Sequence, residues 1–285
     1  MTRVFIVAKT DKPAVAKALE EIVPWLNARC EVVGIESNGE NTIATTEADL
    51  VLVLGGDGTL LSAARRLRGR PIPMMGVNFG RLGFLASFTP DQYKEGIEQF
   101  IQQKLPISHR KALQASVYPK DGAPGVASFH ATALNDAVIT AGAPFHMIEL
   151  ELSVEGEGGI RYFGDGVIVA TPSGSTAYNV SAGGPIIDAN VDAMCITPIC
   201  PHSLSFRPVV VAGKTVVEIV PIRVNDGTTL FCDGQASTPL NAGDRVVVCR
   251  SGSDVLLVEN PRTRQWQSLA DKLHWAATPR YNATQ

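Results

Sequence analysis

The sequence predicts an α/β plus all-β protein: a parallel sheet flanked by helices in the amino-terminal part, then a half built from strands alone. Three observations carry that expectation. Apolar runs alternate with a helical-period segment up to about Pro106. The early runs lack polar alternation, as strands covered on both faces do. Beyond that point, short runs rich in β-branched residues follow one another with Gly, Pro and Asp between them.

The elements follow in chain order. Residues 3–8 form an apolar strand, and residues 12–26 place Val15, Leu19, Ile22, Val23 and Leu26 at helical spacing. A second run, 31–35, completes the first βαβ unit. Residues 49–54 form a continuous apolar strand, residues 55–58 a turn, residues 60–67 the start of a helix, and residues 73–77 the next strand. The second half offers strands at 114–118, 133–139, 147–154, 167–170, 209–211, 216–221, 228–232 and 245–249. Finally, residues 264–275 set Trp266, Leu269, Leu273 and Trp275 in a helical pattern that can fold back on the first half. The expected domains are therefore 1–107, with 262–285 returning to it, and 108–261.

Composition bounds the function. With 285 residues, 45% hydrophobic and 19% charged, the chain can bury a substantial core. A net charge of −3 with scattered Lys and Arg gives no basic field for nucleic acid. The apolar run from Val4 to Ala8 is too short for a signal segment, and no span is long and uncharged enough to cross a membrane. Five cysteines without paired two-residue spacing read as reduced thiols of a cytoplasmic protein rather than a zinc site.

The chemistry concentrates in a few segments. Gly55-Gly56-Asp57-Gly58-Thr59 lies between a buried strand and a helix start, where open α/β sheets bind ligands. Glycines admit close backbone approach, and the helix start offers free N–H groups to phosphate, which makes Gly55, Gly56 and Thr59 phosphate-binding candidates. A carboxylate beside phosphates is unfavourable unless it binds a metal or takes a proton. Asp57 is thus either a general base or the cap of the following helix. Residues 165–178 read as a strand followed by a loop dense in hydroxyls, Thr171, Ser173, Ser175 and Thr176, suited to sugar and phosphate oxygens. Asn135-Asp136 interrupts an apolar strand, and its polar groups require either a ligand or an internal partner. Other patterns drop out. Gly213-Lys214-Thr215 has Pro208 where a P-loop needs glycine, no G-x-G-x-x-G or G-x-S-x-G exists, and the histidines lack metal-ligand spacing.

Together these segments resemble the NAD kinase family. The match runs in order through the Gly55 to Thr59 turn, residues 80–85, Leu134-Asn135-Asp136, residues 165–178, residues 183–186, residues 201–208 and Lys272-Leu273-His274-Trp275. The resemblance implies a Rossmann-like amino-terminal domain, a carboxy-terminal β-sandwich and an active site between them. It implies Asp57 as proton acceptor, and Gly58 and Phe79 on the adenosine side. Asn135 and Asp136 would hold the ribose hydroxyls. NAD contacts would come from Asp165, Thr176, Ala177, Tyr178, Asn179, Val180 and Ser181, with His146, Phe163 and Gln235. Asp136 stands where many members carry Glu, and Phe163 where many bacterial relatives are basic. The expected reaction passes the terminal phosphoryl group of ATP to the 2′-hydroxyl of the adenosine ribose of NAD. Mg²⁺ would ride on the nucleotide, and a homodimer or homotetramer would share the site. Two other readings remain open: a lipid kinase of the same superfamily, which leaves the hydroxyl loop unexplained, and a silent dinucleotide sensor.

Overall fold

The computed structural model describes every residue except 38–42, 81–82, 204, 264–268, 271 and 274–285. In the first half β1 (Arg3–Ala8), α1 (Pro13–Asn27), β2 (Glu31–Glu36), β3 (Leu50–Gly55), α2 (Asp57–Arg66), β4 (Met74–Asn78) and α3 (Tyr93–Ile101) alternate before β5 (Ile107–Arg110). Strands then dominate: β6 (Leu113–Tyr118), β7 (Phe129–Ala133), β8 (Asp136–Thr140), β9 (Ile148–Val154), β10 (Glu157–Gly164) and β11 (Gly166–Ala170). A 3₁₀ turn (Ser173–Thr176) and α4 (Tyr178–Ser181) lead to β12 (Ala193–Ile199), β13 (Val209–Ala212) and β14 (Val217–Arg223). The last strands are β15 (Thr229–Cys232), β16 (Ala236–Pro239), β17 (Arg245–Arg250) and β18 (Val255–Val258).

The first sheet has the order β2-β1-β3-β4-β18-β5, with β1 to β4 and β18 parallel and β5 antiparallel to β18. Both faces are covered, which is why β3 is apolar at every position. Val15, Ile22 and Leu26 of α1 pack with Ile6 and Leu52 on one face, and Leu60, Leu61 and Ala64 of α2 with Phe5 and Val53 on the other. Each such side chain contributes about 1.5–3 kcal/mol on burial.

The second half is a β-sandwich of two six-stranded antiparallel sheets, β10-β9-β14-β17-β6-β7 and β13-β12-β11-β8-β15-β16. Alternate residues of the two inner faces, such as Leu150, Ile219 and Val248 against Ile139, Val169 and Leu230, make one core. The outer face of the second sheet is buried too, since Val138, Ile168 and Cys195 pack under Ile187.

Three expectations change. The domain ranges drawn at 107 and 262 divide the first sheet, because β5, which straddles the boundary at 107, and β18, which lies within 108–261, pair with each other at its edge. An apolar run such as Val255–Val258 fits either half by period alone, and only long-range pairing assigns it. The expected strand 133–139 is a corner in which β7 belongs to one sheet and β8 to the other. Of the expected tail helix, residues 269–270 and 272–273 are helical, and the rest lies outside the described residues. Leu269 is buried and Lys272 donates to the Gly83 carbonyl, so this stretch does meet the first half.

Candidate active site between the two halves

The glycine turn is built from β3 outward. At Gly55 a Cβ would lie 2.3 Å from Thr59 Oγ1, so the turn closes on its own threonine there. Gly56 and Gly58 are the open positions, with only ordinary contacts at 3.8 Å to Asn78 and 3.7 Å to Gln235. Close ligand approach is thus available at Gly56 and Gly58, whereas Gly55 makes room for Thr59. Helix α2 begins at Asp57 itself, with Gly56 as N-cap and no side-chain cap, so Asp57 does not cap its own helix.

The Asp57 carboxylate instead holds a second segment. Its Oδ2 accepts from Phe84 N at 2.7 Å, and its Oδ1 from Leu85 N at 3.2 Å and Ala86 N at 3.0 Å. Gly83 is required by this approach, since a Cβ there would fall 2.0 Å from Oδ1. A carboxylate offers about four acceptor positions. Among the described residues three are taken, and no donor to the remaining position, on Oδ2, is found. Arg81 and Leu82 of the same segment lie outside the described residues.

A second carboxylate, absent from the sequence-based site, organises the other half. Asp233, at the β15 to β16 turn, accepts from Leu134 N at 2.9 Å, Asn135 N at 2.7 Å and Asp136 N at 3.2 Å. It thereby bends the chain where the sheets exchange strands. The one sequence signal was Asp233-Gly234 after an apolar run, which reads as a hairpin turn. Gln235 then spans the halves: its Nε2 donates to Gly58 O at 2.7 Å, and its Oε1 accepts from Arg65 Nη1 at 2.8 Å. Arg65 is the other residue that pattern alone did not single out.

Asp136 is 5% exposed, and no hydrogen bond to its carboxyl is found among the described residues. Burial, and then the neighbouring Asp233, raise its pKa to about 7. Burial raises Asp233 as well, against the three backbone N–H groups. The adjoining Cys232 thiol is pushed up to about 12 by burial and these carboxyls.

The hydroxyl-rich loop divides into a braced and an outward part. Thr171 Oγ1 donates to Leu134 O at 2.6 Å and accepts from Gly174 N at 2.9 Å. A Cβ on Gly174 would sit 2.0 Å from Asn135 O, so the loop docks directly on the Asn135 backbone. Ser175 bonds Pro172 O and Ile187 N at 2.6 and 3.0 Å. Asn179, expected to contact the dinucleotide, is fully buried, and its amide is taken by Ser175 O, Pro185 O and the Thr197 hydroxyl. In this conformation it braces the loop, because a short helical turn leaves backbone groups that need side-chain partners. Ala177 and Val180 are half-buried, Tyr178 and Ser181 are exposed, and Thr176 is half-buried with its hydroxyl on Ser173 O.

Two cavities flank the Asp57 turn. One of about 670 Å³ opens at the carboxyl ends of β1 and β2, lined by residues 7–12, Glu36, Gly56, Gly58, Thr59 and Gln235. The other, about 130 Å³, lies between the halves and is lined by Phe84, Leu85, Ser173, Thr176, Asn260 and Leu269. Asp57 itself lines neither, but its chain neighbours Gly56 and Gly58 line the first, and its hydrogen-bond partners Phe84 and Leu85 line the second. The half-buried Phe79 follows β4, with its N–H on Gly55 O at 2.8 Å. His146, Phe163 and Asp165 do not join this group. In the register Ala170↔Asp136 and Gly166↔Thr140, Asp165 begins the far end of β11. Five extended residues separate it from the Asp136 end, about 16 Å.

Comparison with known proteins fits this geometry. A family model described as the ATP-NAD kinase N-terminal domain matches residues 35–105, and one described as the ATP-NAD kinase C-terminal domain matches residues 134–260. The chain is 39% identical to the NAD kinase of Aromatoleum aromaticum over 290 residues, covering 97% of this chain and 95% of that one. It is 39% identical to the NAD kinase of Solibacter usitatus over 280 residues, covering 95% and 96%. Among solved structures, yeast NADH kinase complexed with NADH has a TM-score of 0.87 at 27% identity, covering 100% of this chain and 90% of that one. The NAD kinase of Archaeoglobus fulgidus in complex with ATP has a TM-score of 0.75 at 26% identity, covering 95% and 98%. With both halves matched and the relatives aligned over nearly their whole length, the chain belongs to the ATP-NAD kinase family.

Proposed function

We propose that the protein transfers the terminal phosphoryl group of ATP to the 2′-hydroxyl of the adenosine ribose of NAD, giving NADP. The observation that carries this is that Asp57 has chain neighbours lining one cavity and hydrogen-bond partners lining another, with one acceptor position on Oδ2 unfilled among the described residues. The donor occupies the larger cavity, its phosphates against Gly56, Thr59 and the start of α2, with Lys9 and Lys12 supplying positive charge. The acceptor ribose enters from the crevice between the halves, where Asn135 and Asp136 meet the hydroxyl loop. Asp57 takes the ribose proton as the oxygen attacks the terminal phosphorus in line, and the leaving diphosphate stays in the donor cavity.

Among the described residues no group of three or more His, Cys, Asp or Glu side chains is placed to hold a metal ion. Mg²⁺, which keeps its waters and prefers phosphate oxygens, would enter with the nucleotide and neutralise triphosphate charge. The location of His146, Phe163 and Asp165 at the far end of β11 supports a homo-oligomer in which those residues serve a neighbouring copy's dinucleotide. Five free cysteines support a cytoplasmic setting, and no helix among the described residues is long and apolar enough to cross a membrane. The test is incubation with ATP, Mg²⁺ and either NAD or a diacylglycerol. NADP is expected; phosphorylation of the lipid alone would overturn the assignment, and NAD binding without turnover would reduce the protein to a sensor.

A further inference from the structure

Glu36 is the last residue of β2, and its side chain is 4% exposed. One carboxylate oxygen pairs with Arg66 from α2. The other, Oε2, is buried, and among the described residues it has no hydrogen-bond partner. A buried carboxylate oxygen left unpaired is costly, and native structures rarely retain one without a use. The residue lines the larger cavity together with Lys9, Lys12, Gly56, Gly58 and Thr59. That cavity is therefore two-sided. The glycine turn and lysines attract phosphate, while Glu36 repels it and, being acceptor-only when ionised, can bind only a group that donates.

We propose that Glu36 determines donor specificity by accepting a hydrogen bond from a ribose hydroxyl of the phosphoryl donor, so that a ribonucleoside triphosphate is preferred over its deoxy counterparts and over inorganic polyphosphate. This rests on the donor cavity assigned above. The position suits the role, since an acidic residue at the carboxyl end of a strand in an open parallel sheet is well placed to bind ribose while the adjacent turn holds phosphate. Polyphosphate brings no hydroxyl to this oxygen and leaves it unpaired.

The experiment measures kcat/KM for NADP formation with ATP, 2′-deoxy-ATP, 3′-deoxy-ATP, inosine triphosphate and tripolyphosphate. It compares the unaltered protein with the double variant Glu36→Met and Arg66→Met. Removing both partners together avoids stranding a buried charge. Because each result is a ratio between donors on one preparation, loss of folded protein cannot imitate it. The unaltered protein should favour ATP over one deoxy analogue by about 10- to 100-fold, the effect of leaving a site's polar group unpaired. It should use inosine triphosphate like ATP, and in the double variant the preference should shrink to about 3-fold or less. Equal use of ATP and both deoxy analogues, an unchanged ratio in the variant, or selection against inosine triphosphate in place of the deoxy analogues would each overturn the role of Glu36. NADP from no donor would instead sink the phosphotransfer reading, and this one with it.

Discussion

Asp57 and Asp233 apply one device in two places. Each is an acidic residue whose carboxylate gathers three consecutive backbone N–H groups, residues 84–86 for the first and 134–136 for the second. Their surroundings differ. Asp57 has neighbours lining two cavities and, among the described residues, an acceptor position to spare, whereas Asp233 lies beside a second carboxyl, Asp136, under the pull of Arg65. On the proposed function, a carboxylate that shapes a loop serves chemistry only when what remains of it faces a ligand.

That contrast can be broken or sharpened. The largest effect is expected for Asp57→Ala, a fall in kcat of about 10² or more with a smaller change in NAD affinity, as loss of a general base gives. Single-turnover kinetics beside NAD titration checks it, and near-normal turnover would move Asp57 into the same structural class as Asp233. Next comes pH. Native Asp136 keeps its proton to about pH 7, while an unfolded carboxyl releases it near the ordinary value of 3.8, so the native state binds more protons between those values. Stability is therefore lost as pH rises through that window, by up to about 4 kcal/mol. Denaturant midpoints from pH 4 to 8 should show this slope in the unliganded protein and lose most of it in Asp136→Asn.

Smaller, but more telling, is Asp233→Asn. It should cost about 1–3 kcal/mol, because an amide turns a donor toward one of the N–H groups. It should also lower the Asp136 pKa by removing a like charge, shifting the midpoint of the pH slope downward. A drop in kcat as large as that of Asp57→Ala with no loss of stability would erase the distinction between the two sites. The smallest effect belongs to Gln235→Ala, about 1 kcal/mol for its hydrogen bonds to Gly58 and Arg65. It should appear in KM more than in kcat if Gln235 only sets the approach of the halves.

Much of this was legible beforehand where the signal is local. The apolar run of β3 and the glycine turn announced a strand end that opens on a cavity, and Asn135-Asp136 was marked by polar residues in an apolar stretch. Asn179 shows the limit: its type and place matched a ligand contact, yet its amide is spent on Ser175, Pro185 and Thr197. Asp233 and Arg65 carried no marker beyond a turn and a helix end, since their partners lie far away in the chain.

By itself, the sequence determined the α/β and all-β halves, the turn that carries Asp57 and the loop that follows β11, because period and backbone freedom are properties of neighbouring residues. Tertiary structure alone decided that β5 and β18 complete the first sheet, that Asp57 holds a loop rather than capping its helix, that Asp233 gathers the 134–136 backbone, and that Glu36 keeps an oxygen unpaired among the described residues. Those outcomes depend on which buried donors meet which acceptors once the layers pack, and the same short segments would pair differently against other surfaces.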